Sequence, residues 1–435
     1  MRHLVFALFV VLVPLTARAD DWPQFRGPDR TGVSKETGLL KAWPKEGLKP
    51  AWTYKNAGLG FSTVAVAKGV VYTLGTDMNF KDELVIALDE KSGKELWTAT
   101  IAPIYTYKGN SYGDGPRSTP TVDGDLLFAL GGQGELVCVD VTKKGAVVWR
   151  KDLIKDLGSV IMDKYGYSES PLVDGDQLIC TPGGKGGAMT ALDKKTGKVL
   201  WRSKGWTDLA PYSSAVVADI HGVRQYIQAG YINGIKGGVL AGVEAKTGNQ
   251  LWVKSIFTDQ GSEGISPTPI VKDNLVYMTS GFGAGCRLFE INNKQQATDK
   301  YTKAATKKMK NTHGGVVVIG DHVYGHTEPK FWACQELLTG SVTWTEGAGK
   351  SGSITAAEGL LYLYSEDGEA SLVEANPQAF KLISSFTIPE KSPIPGPNGN
   401  RLTSRQARTW AHPVIANGKL YLRDHELIFA FKITK

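Results

Sequence analysis

Side chains that could bind a ligand or act in catalysis are concentrated in eight short polar segments of the sequence. The segments are 58–62, 111–118, 164–170, 210–214, 261–266, 310–315, 349–353 and 403–412. Their basic side chains could bind an anion, their glutamates could bind a cation or act as a general base, and their aromatic rings offer stacking faces. The candidate ligand-binding residues are Asp114, Arg117, Tyr167, Glu169, Tyr212, Glu263, His313, Lys350, Arg405, Arg408, Trp410 and His412. The pattern assigns a catalytic role to none of them.

Three residues of these segments are also candidate metal ligands. Glu169, Glu263 and Asn311 could hold calcium through hard oxygen atoms, of which that ion takes about 6 to 8. The alternative is structural, with glutamates pairing with arginines and hydroxyls capping turns. Substitution of Arg117 or Glu169 is the first test of whether these residues bind a ligand or are structural. The four cysteines are scattered without a CxxC pair, so we expect small buried strand residues and no zinc-type site.

Thr196, Gly197 and Lys198, in the stretch ALDKKTGKVLW, look like the end of a phosphate-binding loop, but the stretch recurs. Related stretches close on Trp97, Trp149, Trp201, Trp252 and Trp344, which lie 52, 52, 51 and 92 positions apart. A repeat of about 50 residues indicates a solenoid, propeller or array. A catalytic motif is expected once, whereas a packing device is needed in nearly every unit. The stretch is therefore interpreted as a turn between strands.

Eight tight turns give a count of the repeat units that does not depend on the tryptophan spacing. They are Lys68-Gly69, Asp123-Gly124, Asp174-Gly175, His221-Gly222, Asp273-Asn274, Gly320-Asp321, Glu358-Gly359 and Asn417-Gly418. Each unit contains four short β runs separated by turns, without competing helical periodicity. Four antiparallel strands per repeat define a propeller blade. The sequence therefore predicts an all-β, eight-bladed β-propeller in which the eight polar segments meet at one mouth of the central channel.

The ends of the chain predict how the ring closes. Residues 412–434 supply three strands, and residues 48–55 match the missing fourth, so we expect the N-terminal strand to complete the last blade. This gives an extension over 20–47 and a single propeller over 48–435. The fourth-strand tryptophans are expected to dock each blade on its neighbour. They are Trp52, Trp97, Trp149, Trp201, Trp252 and Trp344.

Residues 1–19 have the layout of a secretory signal peptide, with Arg2, an apolar run from Leu4 to Leu15 and a small-residue site before Asp20. The run is shorter than the ~20 residues of a membrane span. The first cysteine is Cys138, so no lipid anchor is expected. These features predict an exported protein of the periplasm or the extracellular space. The formal charge of +7 is too mild to indicate nucleic-acid binding, and a monomer is expected.

The recurring Ala-Leu-Asp, Thr-Gly-Lys and Trp resemble the eight-bladed propeller of pyrroloquinoline quinone (PQQ) dehydrogenases, a repeat class related to WD40 and YVTN repeats. The resemblance extends to non-enzymatic relatives, among them the propeller lipoprotein of the outer-membrane β-barrel assembly machine. The stretches DWPQFRGPDRTGVS (21–34) and YSESPLVDGD (167–176) look like a secreted bacterial branch with PQQ-like repeats. The resemblance covers roughly residues 21–434.

What the resemblance implies differs between its two branches. A dehydrogenase would hold PQQ through a bound calcium ion, with an Asp as base, and the alcohol-oxidising class also carries two adjacent cysteines, which this sequence lacks. The assembly lipoprotein would carry a lipid-attachment cysteine. The sequence therefore favours an exported, non-catalytic propeller that binds an unidentified protein or small molecule at the channel mouth, with no cofactor assigned. The alternative is a periplasmic alcohol dehydrogenase that depends on PQQ and calcium, and a lyase or hydrolase is left open.

Overall fold

The repeated turn is held by hydrogen bonds that its own sequence supplies. Asp193 Oδ1 accepts hydrogen bonds from the Thr196 amide (2.8 Å) and hydroxyl (2.7 Å), and the Gly197 amide donates to the Asp193 carbonyl (2.8 Å). Gly197 has φ +69°, a left-handed conformation that glycine adopts without steric cost. Thr196, Gly197 and Lys198 therefore form the predicted turn and not a phosphate-binding loop.

The computed structural model describes residues 20–106, 113–235, 237–258, 264–346, 351–393 and 408–435. Two strands precede the first complete blade, β1 (Val33–Ser34) and β2 (Pro50–Tyr54). Blade 1 contains β3 (Ala65–Ala67), β4 (Val70–Thr76), β5 (Asp82–Asp89) and β6 (Glu95–Pro103). Blade 2 contains β7 (Thr121–Asp123), β8 (Leu126–Leu130), β9 (Glu135–Asp140) and β10 (Ala146–Asp152). Blade 3 contains β11 (Leu172–Asp174), β12 (Gln177–Cys180), β13 (Thr190–Asp193) and β14 (Val199–Arg202).

The other blades follow the same order. Blade 4 contains β15 (Val216–Ile220), β16 (Val223–Tyr231), β17 (Gly238–Glu244) and β18 (Gln250–Ile256). Blade 5 contains β19 (Ile270–Lys272), β20 (Leu275–Ser280), β21 (Gly285–Ile291) and β22 (Ala297–Asp299). Blade 6 contains β23 (Val316–Ile319), β24 (His322–Thr327), β25 (Phe331–Glu336) and β26 (Val342–Glu346). Blade 7 contains β27 (Gly352–Ala357), β28 (Leu360–Ser365), β29 (Glu369–Glu374) and β30 (Lys381–Thr387), and blade 8 contains β31 (Val414–Ala416), β32 (Lys419–Asp424) and β33 (Leu427–Lys432). The short helical turns are α1 (Leu153–Leu157) and two 3₁₀ turns, Val141–Lys143 and Ala305–Lys307.

The eighth blade is completed from the other end of the chain. β33 lies between β32 and β2, with Trp52 opposite Ala430 and Tyr54 opposite Ile428. β1 adds a fifth, parallel strand to the inner edge of blade 7, where Val33 pairs with Ala356. These pairings confirm the prediction of an all-β, eight-bladed propeller of four-stranded antiparallel blades, with the last blade closed by the N-terminal strand.

The fourth-strand tryptophans touch the turns of the following blades. Three indole Nε1 atoms donate to backbone carbonyls there, Trp52 to Glu90 (2.9 Å), Trp149 to Lys194 (3.0 Å) and Trp344 to Asn376 (2.8 Å). The turn glycines lie against the preceding indoles, Gly93 on Trp52, Gly145 on Trp97, Gly197 on Trp149 and Gly248 on Trp201. Trp252 reaches blade 5 indirectly, because it donates to Gln225 (2.8 Å), which donates to Gln295 (2.7 Å). Each turn is therefore both a connection within one blade and a surface for its neighbour.

Each docking tryptophan on a fourth strand lies opposite a small residue on the third strand of the same blade. The pairs are Ala87 with Trp97, Cys138 with Trp149, Ala191 with Trp201, Gly242 with Trp252, Cys334 with Trp344 and Ala430 with Trp52. A Cβ at Gly242 would lie 2.2 Å from the Trp252 Nε1 atom, so the indole needs that space. Burial raises the pKa of the Cys138 thiol to about 12. The four cysteines are buried and free, and two of them act as the small residues that this packing requires.

Blades 5 and 7 have no docking tryptophan, and other segments take its place. In blade 5, Tyr301 and Ala305 pack against Gly340 of blade 6, and the Tyr301 hydroxyl donates to the Leu337 carbonyl (2.6 Å). In blade 7, Trp43 of the N-terminal extension packs on Phe386, with ring centroids 5.2 Å apart, and bonds through its amide to Ser384. In both blades, residues outside the four strands thus take the place of the missing tryptophan.

The N-terminal segment runs into the central channel of the propeller. Trp22 pairs with Val66 on the first strand of blade 1, and Gly32 bonds to Ala356 in blade 7. Arg30 donates to the carbonyls of Ser170 (2.9 Å), Pro171 and Ala215 (2.9 Å), at the starts of blades 3 and 4. The first strands are the innermost strands, so this segment fills the channel between them.

We expect Gly197→Ala to destabilise the propeller more than Gly175→Ala. Both glycines have positive φ, so both substitutions strain the backbone, but only a Cβ at Gly197 meets an indole, at 2.8 Å. Overpacking of this kind costs about 1–3 kcal/mol in the free energy of unfolding. Urea denaturation of the two variants measures the difference. Equal losses would mean that the turn does not support the tryptophan.

Replacement of Arg30 by Met should lower the free energy of unfolding by about 3 kcal/mol or more, since buried carbonyls lose their donors. Arg30 is buried, and its side chain bonds to residues of blades 3 and 4. The exposed Lys35→Met variant on the same segment is the control and should change stability by less than about 0.5 kcal/mol. Similar melting curves for the two variants would contradict a structural role for the channel segment.

Candidate functional site

A cavity of about 180 Å³ lies where the loops before the first strands meet. Seven of the eight polar segments singled out from the sequence contribute to it, and the rest of the lining is Phe25 of the channel segment, Phe282 of blade 5, and Thr63 and Asp163, each next to one of the segments. The lining residues are Phe25, Phe61, Thr63, Arg117, Asp163, Tyr165, Ser168, Ser170, Tyr212, Ser214, Gly264, Ser266, Phe282, His313, Trp410 and His412. Remote segments of the chain therefore form one surface at the channel mouth.

A hydroxyl residue two positions before the first strand anchors the loops of blades 1 to 4. The Thr63 amide donates to Thr119 Oγ1 (3.2 Å), the Thr119 amide to Ser170 Oγ (2.9 Å), and the Ser170 amide to Ser214 Oγ (2.9 Å). Each hydroxyl thus fixes the preceding blade's loop. These residues were not among the sequence candidates, although the Ser or Thr that recurs two positions before the first strands of blades 1 to 5 is a signal that could have identified them.

Aromatic rings form a continuous wall on one side of the cavity. Phe61 and Trp410 have centroids 4.9 Å apart, and the imidazole of His313 stacks on Trp410 at 4.4 Å with 19° between the planes. Phe282 meets His313 edge-on at 6.2 Å. The wall offers large apolar faces, a property typical of small-molecule sites.

The two cavity histidines are neutral over the physiological range. Burial, with smaller effects from Arg117 and Arg408, lowers the pKa of His313 to about 3. Burial and the charge of Arg26 lower the pKa of His412 to about 3. His412 Nε2 lies 3.1 Å from the His313 carbonyl, which can only accept, so the neutral ring carries its proton on Nε2. The histidines therefore serve as stacking and hydrogen-bonding groups and add no positive charge.

Arg117 brings a positive charge to the cavity. Its Nε and Nη2 atoms donate to the carbonyls of Tyr165 (3.1 Å) and Gly113 (2.8 Å), which orient the guanidinium. The group lies 5.3 Å from the centre of the Phe61 ring, within the range of a cation–π contact. Asp163, the carboxylate in the lining, is exposed to solvent at the rim.

The structure places five of the sequence candidates in the cavity lining: Arg117, Tyr212, His313, Trp410 and His412. Tyr167 is buried behind it and bonds to Ser159 (2.6 Å), and Asp114 is also buried. Arg408 forms an ion pair with Glu366 (3.4 Å). Glu263, Lys350 and Arg405 lie outside the described residues.

Glu169 belongs to a buried network below the mouth. Its carboxylate accepts hydrogen bonds from the Thr181 amide (2.6 Å), the Thr181 hydroxyl (2.7 Å) and Gln228 Nε2 (3.1 Å). Burial raises the pKa of Glu169 to about 7, although the donors and the charge of Arg30 oppose the shift. Glu169 thus helps to hold the channel segment, and its oxygens are already occupied by protein donors.

The candidate calcium ligands Glu169 and Asn311 differ in their surroundings in the part of the chain that the structure describes. Glu169 is committed to Thr181 and Gln228, and the buried Asn311 amide group donates to the carbonyls of Gly315 (3.0 Å) and His326 (2.8 Å). Over the same residues, no group of three or more His, Cys, Asp or Glu side chains is placed to hold a metal ion. The Asn311 Oδ1 atom, the one that could bind a cation, is buried without a hydrogen-bond partner among the described residues, and Glu263 lies outside them.

Comparison with known families and proteins gives a consistent result. Residues 81–346 match the family model PQQ_2, described as outer membrane protein assembly factor BamB. Relatives of that description include a protein of Kangiella koreensis, 28% identical over 225 residues, which are 52% of this chain and 49% of the relative. Another, from Bordetella pertussis, is 27% identical over 30% of this chain and 33% of its own length. The matched region spans about half or less of these relatives.

Solved structures share the architecture at low sequence identity. BamB from Moraxella catarrhalis superposes with a TM-score of 0.61 and 14% identity, covering 88% of this chain and 99% of the other. Quinohemoprotein alcohol dehydrogenase from Comamonas testosteroni gives a TM-score of 0.62 and 12% identity, covering 95% and 81%. Identities this low establish the shared propeller fold and nothing about activity.

We expect His313 and His412 each to lower the free energy of unfolding as the pH falls from 7 to 5, whereas the raised pKa of Glu169 acts in the opposite direction over the same range. Burial holds the pKa of His313 and His412 at about 3, so both rings take up protons in the unfolded chain but not in the folded one. Below the unfolded pKa near 6.5, each ring contributes a loss of up to about 1.4 kcal/mol per pH unit. Urea denaturation of the wild type and of His313→Gln measures one ring's share as a difference. An unchanged slope in the variant would show that His313 becomes protonated in the folded state.

Proposed function

This chain belongs to the PQQ_2 family described as outer membrane protein assembly factor BamB, and from that premise we propose that it acts as an exported, non-catalytic binding scaffold. Residues 1–19, outside the described part of the chain, are proposed as its export signal. The names of the relatives support a periplasmic location and an interaction role. No helix among the described residues is long and apolar enough to cross a membrane.

The observation that carries the proposal is the commitment of Glu169 and Glu366, two carboxylates near the mouth, to protein partners; the carboxylate of the lining itself, Asp163, is exposed at the rim. Glu169 accepts three hydrogen bonds from Thr181 and Gln228, and Glu366 accepts a hydrogen bond from Trp410 Nε1 (2.8 Å) and pairs with Arg408. The cavity histidines are neutral and packed among aromatic rings. A general base must be free to reach a substrate proton, whereas a binding surface needs fixed faces and fixed dipoles. The fixed aromatic wall and the committed carboxylates support the second role.

The alternative, a dehydrogenase that depends on PQQ and calcium, is less well supported by these residues. His313 already covers one face of Trp410 at 4.4 Å, so a tricyclic quinone could stack on that face only after the imidazole moved. A cavity of about 180 Å³ is also small for three fused rings with their substituents. Similarity to a quinohemoprotein dehydrogenase at 12% identity reflects the propeller and does not favour the reaction.

We expect PQQ with calcium chloride neither to raise the melting temperature nor to support dye-linked alcohol oxidation. A library of single-ring compounds should yield a ligand that raises the melting temperature by a few degrees at 100 times its Kd, which corresponds to about 2.7 kcal/mol. Trp410→Ala should abolish that shift because the variant removes the centre of the aromatic wall. Leu338→Ala, at an exposed position of blade 6, is the control. Turnover with PQQ and calcium would overturn the non-catalytic proposal.

A further inference from the structure

Most of the positive charge of the chain lies in one short segment, residues 294–310, which we call the blade 5 rim. It contains six lysines, one aspartate and no arginine, a net charge of +5, whereas the whole chain has a net charge of +7. Runs of like charge usually form disordered tails, so the structure decides whether this run forms a surface. The lysines are Lys294, Lys300, Lys303, Lys307, Lys308 and Lys310.

The fold holds the blade 5 rim in place at the outer edge of the propeller. The rim includes β22, the outermost strand of its sheet, and continues through the 3₁₀ turn Ala305–Lys307. Tyr301, Ala305 and Met309 are buried in the core between blades 5 and 6. The Thr279 hydroxyl donates to the Met309 carbonyl (3.0 Å). The lysines between these anchors therefore form a fixed, positively charged surface, although their mutual repulsion opposes it.

Four lysines of the rim are exposed and have no ion pair among the described residues; they are Lys294, Lys303, Lys307 and Lys308. Lys300 pairs with Glu290 (2.8 Å). Asp299 is exposed and accepts the Tyr301 amide (3.0 Å), and Glu328 of blade 6 accepts two backbone amides of the turn after β20. Even when these three carboxylates are set against the six lysines, the charge of the rim stays positive.

The composition of the rim favours a lipid surface over a protein partner. Protein interfaces depend on aromatic and arginine side chains and are depleted in lysine. The one aromatic residue of the rim, Tyr301, is buried, and its hydroxyl donates to the Leu337 carbonyl (2.6 Å). Lysine binds phosphate groups as a point charge, without a fixed geometry. Clusters of about 4 to 8 basic residues are typical of proteins that bind anionic membranes.

We propose that the blade 5 rim binds the propeller to an anionic phospholipid surface, through attraction between its unpaired lysines and the lipid phosphates. The large side chains Tyr301 and Met309 face inward, so the attraction is electrostatic and needs no insertion of apolar side chains into the bilayer. This inference goes beyond the proposed binding at the mouth, because residues 294–310 contribute nothing to the cavity lining. A bound propeller would thus keep its mouth accessible.

Sedimentation of the full chain with vesicles tests the proposal. One set of vesicles contains phosphatidylcholine alone, and the other contains phosphatidylcholine and phosphatidylglycerol in equal parts. The chain should bind the anionic vesicles at least about tenfold more tightly than the neutral ones. Sodium chloride at about 1 M, where the Debye length is about 3 Å, should release it. Equal binding to both kinds of vesicle, or binding that survives the salt, would overturn the proposal.

Two triple variants with the same loss of charge show whether the rim is responsible. Replacement of Lys303, Lys307 and Lys308 by Gln should weaken binding to anionic vesicles about a hundredfold, or about fivefold for each lysine. The control replaces Lys81, Lys91 and Lys94 by Gln. These exposed lysines belong to blade 1, which lies opposite blade 5 in a ring of eight blades, and their loss should change binding by less than about twofold. Equal losses in the two variants would refute a specific role for the rim.

Two further measurements separate charge from structure and lipid from protein. Replacement of Lys303, Lys307 and Lys308 by Arg keeps the charge and should keep vesicle binding, whereas a loss would contradict an electrostatic attachment. Binding of a polyglutamate peptide without binding to anionic vesicles would assign the rim to an acidic protein and overturn the lipid proposal. Trp410→Ala should leave vesicle binding unchanged, so a failure at the mouth and a failure at the rim are distinguishable.

Discussion

The contact between a tryptophan and the turn of the next blade is the constraint on which this molecule depends. A four-stranded sheet cannot bury both of its faces alone, so a blade is stable only between two others. The indole of Trp149 lies where the turn at Gly197 has no side chain, and the carbonyl of Lys194 accepts its N–H. One contact thus fixes both the spacing and the rotation between blades. It explains why a large residue, a glycine and a small partner on the third strand recur together.

The same requirement explains what happens where the tryptophan is missing. Blade 5 uses Tyr301 from the segment after its short fourth strand, and blade 7 uses Trp43 from the N-terminal extension. The residues before blade 1 therefore contribute at three places: the seam of blade 7, the fourth strand of blade 8 and the channel. Arg30 links the channel segment to blades 3 and 4 through backbone carbonyls, which every sequence provides. A segment that looks like an appendage in the sequence is part of the core.

Much of the fold could be predicted because its signals are local and repeated. The turn of Asp193 and Gly197, the fourth-strand Trp201 and the closing strand around Trp52 are each readable within a dozen residues. The course of the channel segment could not be predicted, because Arg30 bonds to main-chain atoms about 140 positions away, which leave no mark in side-chain patterns. The site was predicted in part. Loop convergence gave Arg117, Tyr212, His313, Trp410 and His412, but local sequence does not distinguish a carboxylate at the mouth from Glu169, whose environment is formed by distant Gln228 and Arg30.

The cavity is asymmetric because the residue two positions before the first strand differs between blades. Two residues before the first strand, blades 1 to 5 have Thr63, Thr119, Ser170, Ser214 and Thr268, whereas blades 6 and 8 have Gly314 and His412. A Cβ at Gly314 would lie 1.8 Å from the Gly352 carbonyl, so glycine lets the loops of blades 6 and 7 approach closely. Next to that approach, His313 stacks on Trp410, and His412 bonds to the His313 carbonyl. Gly314 and His412, where other blades have a hydroxyl residue, thus lie beside the stacked pair of His313 and Trp410, while the hydroxyls of blades 1, 3 and 4 line the cavity together with Tyr165 and Tyr212.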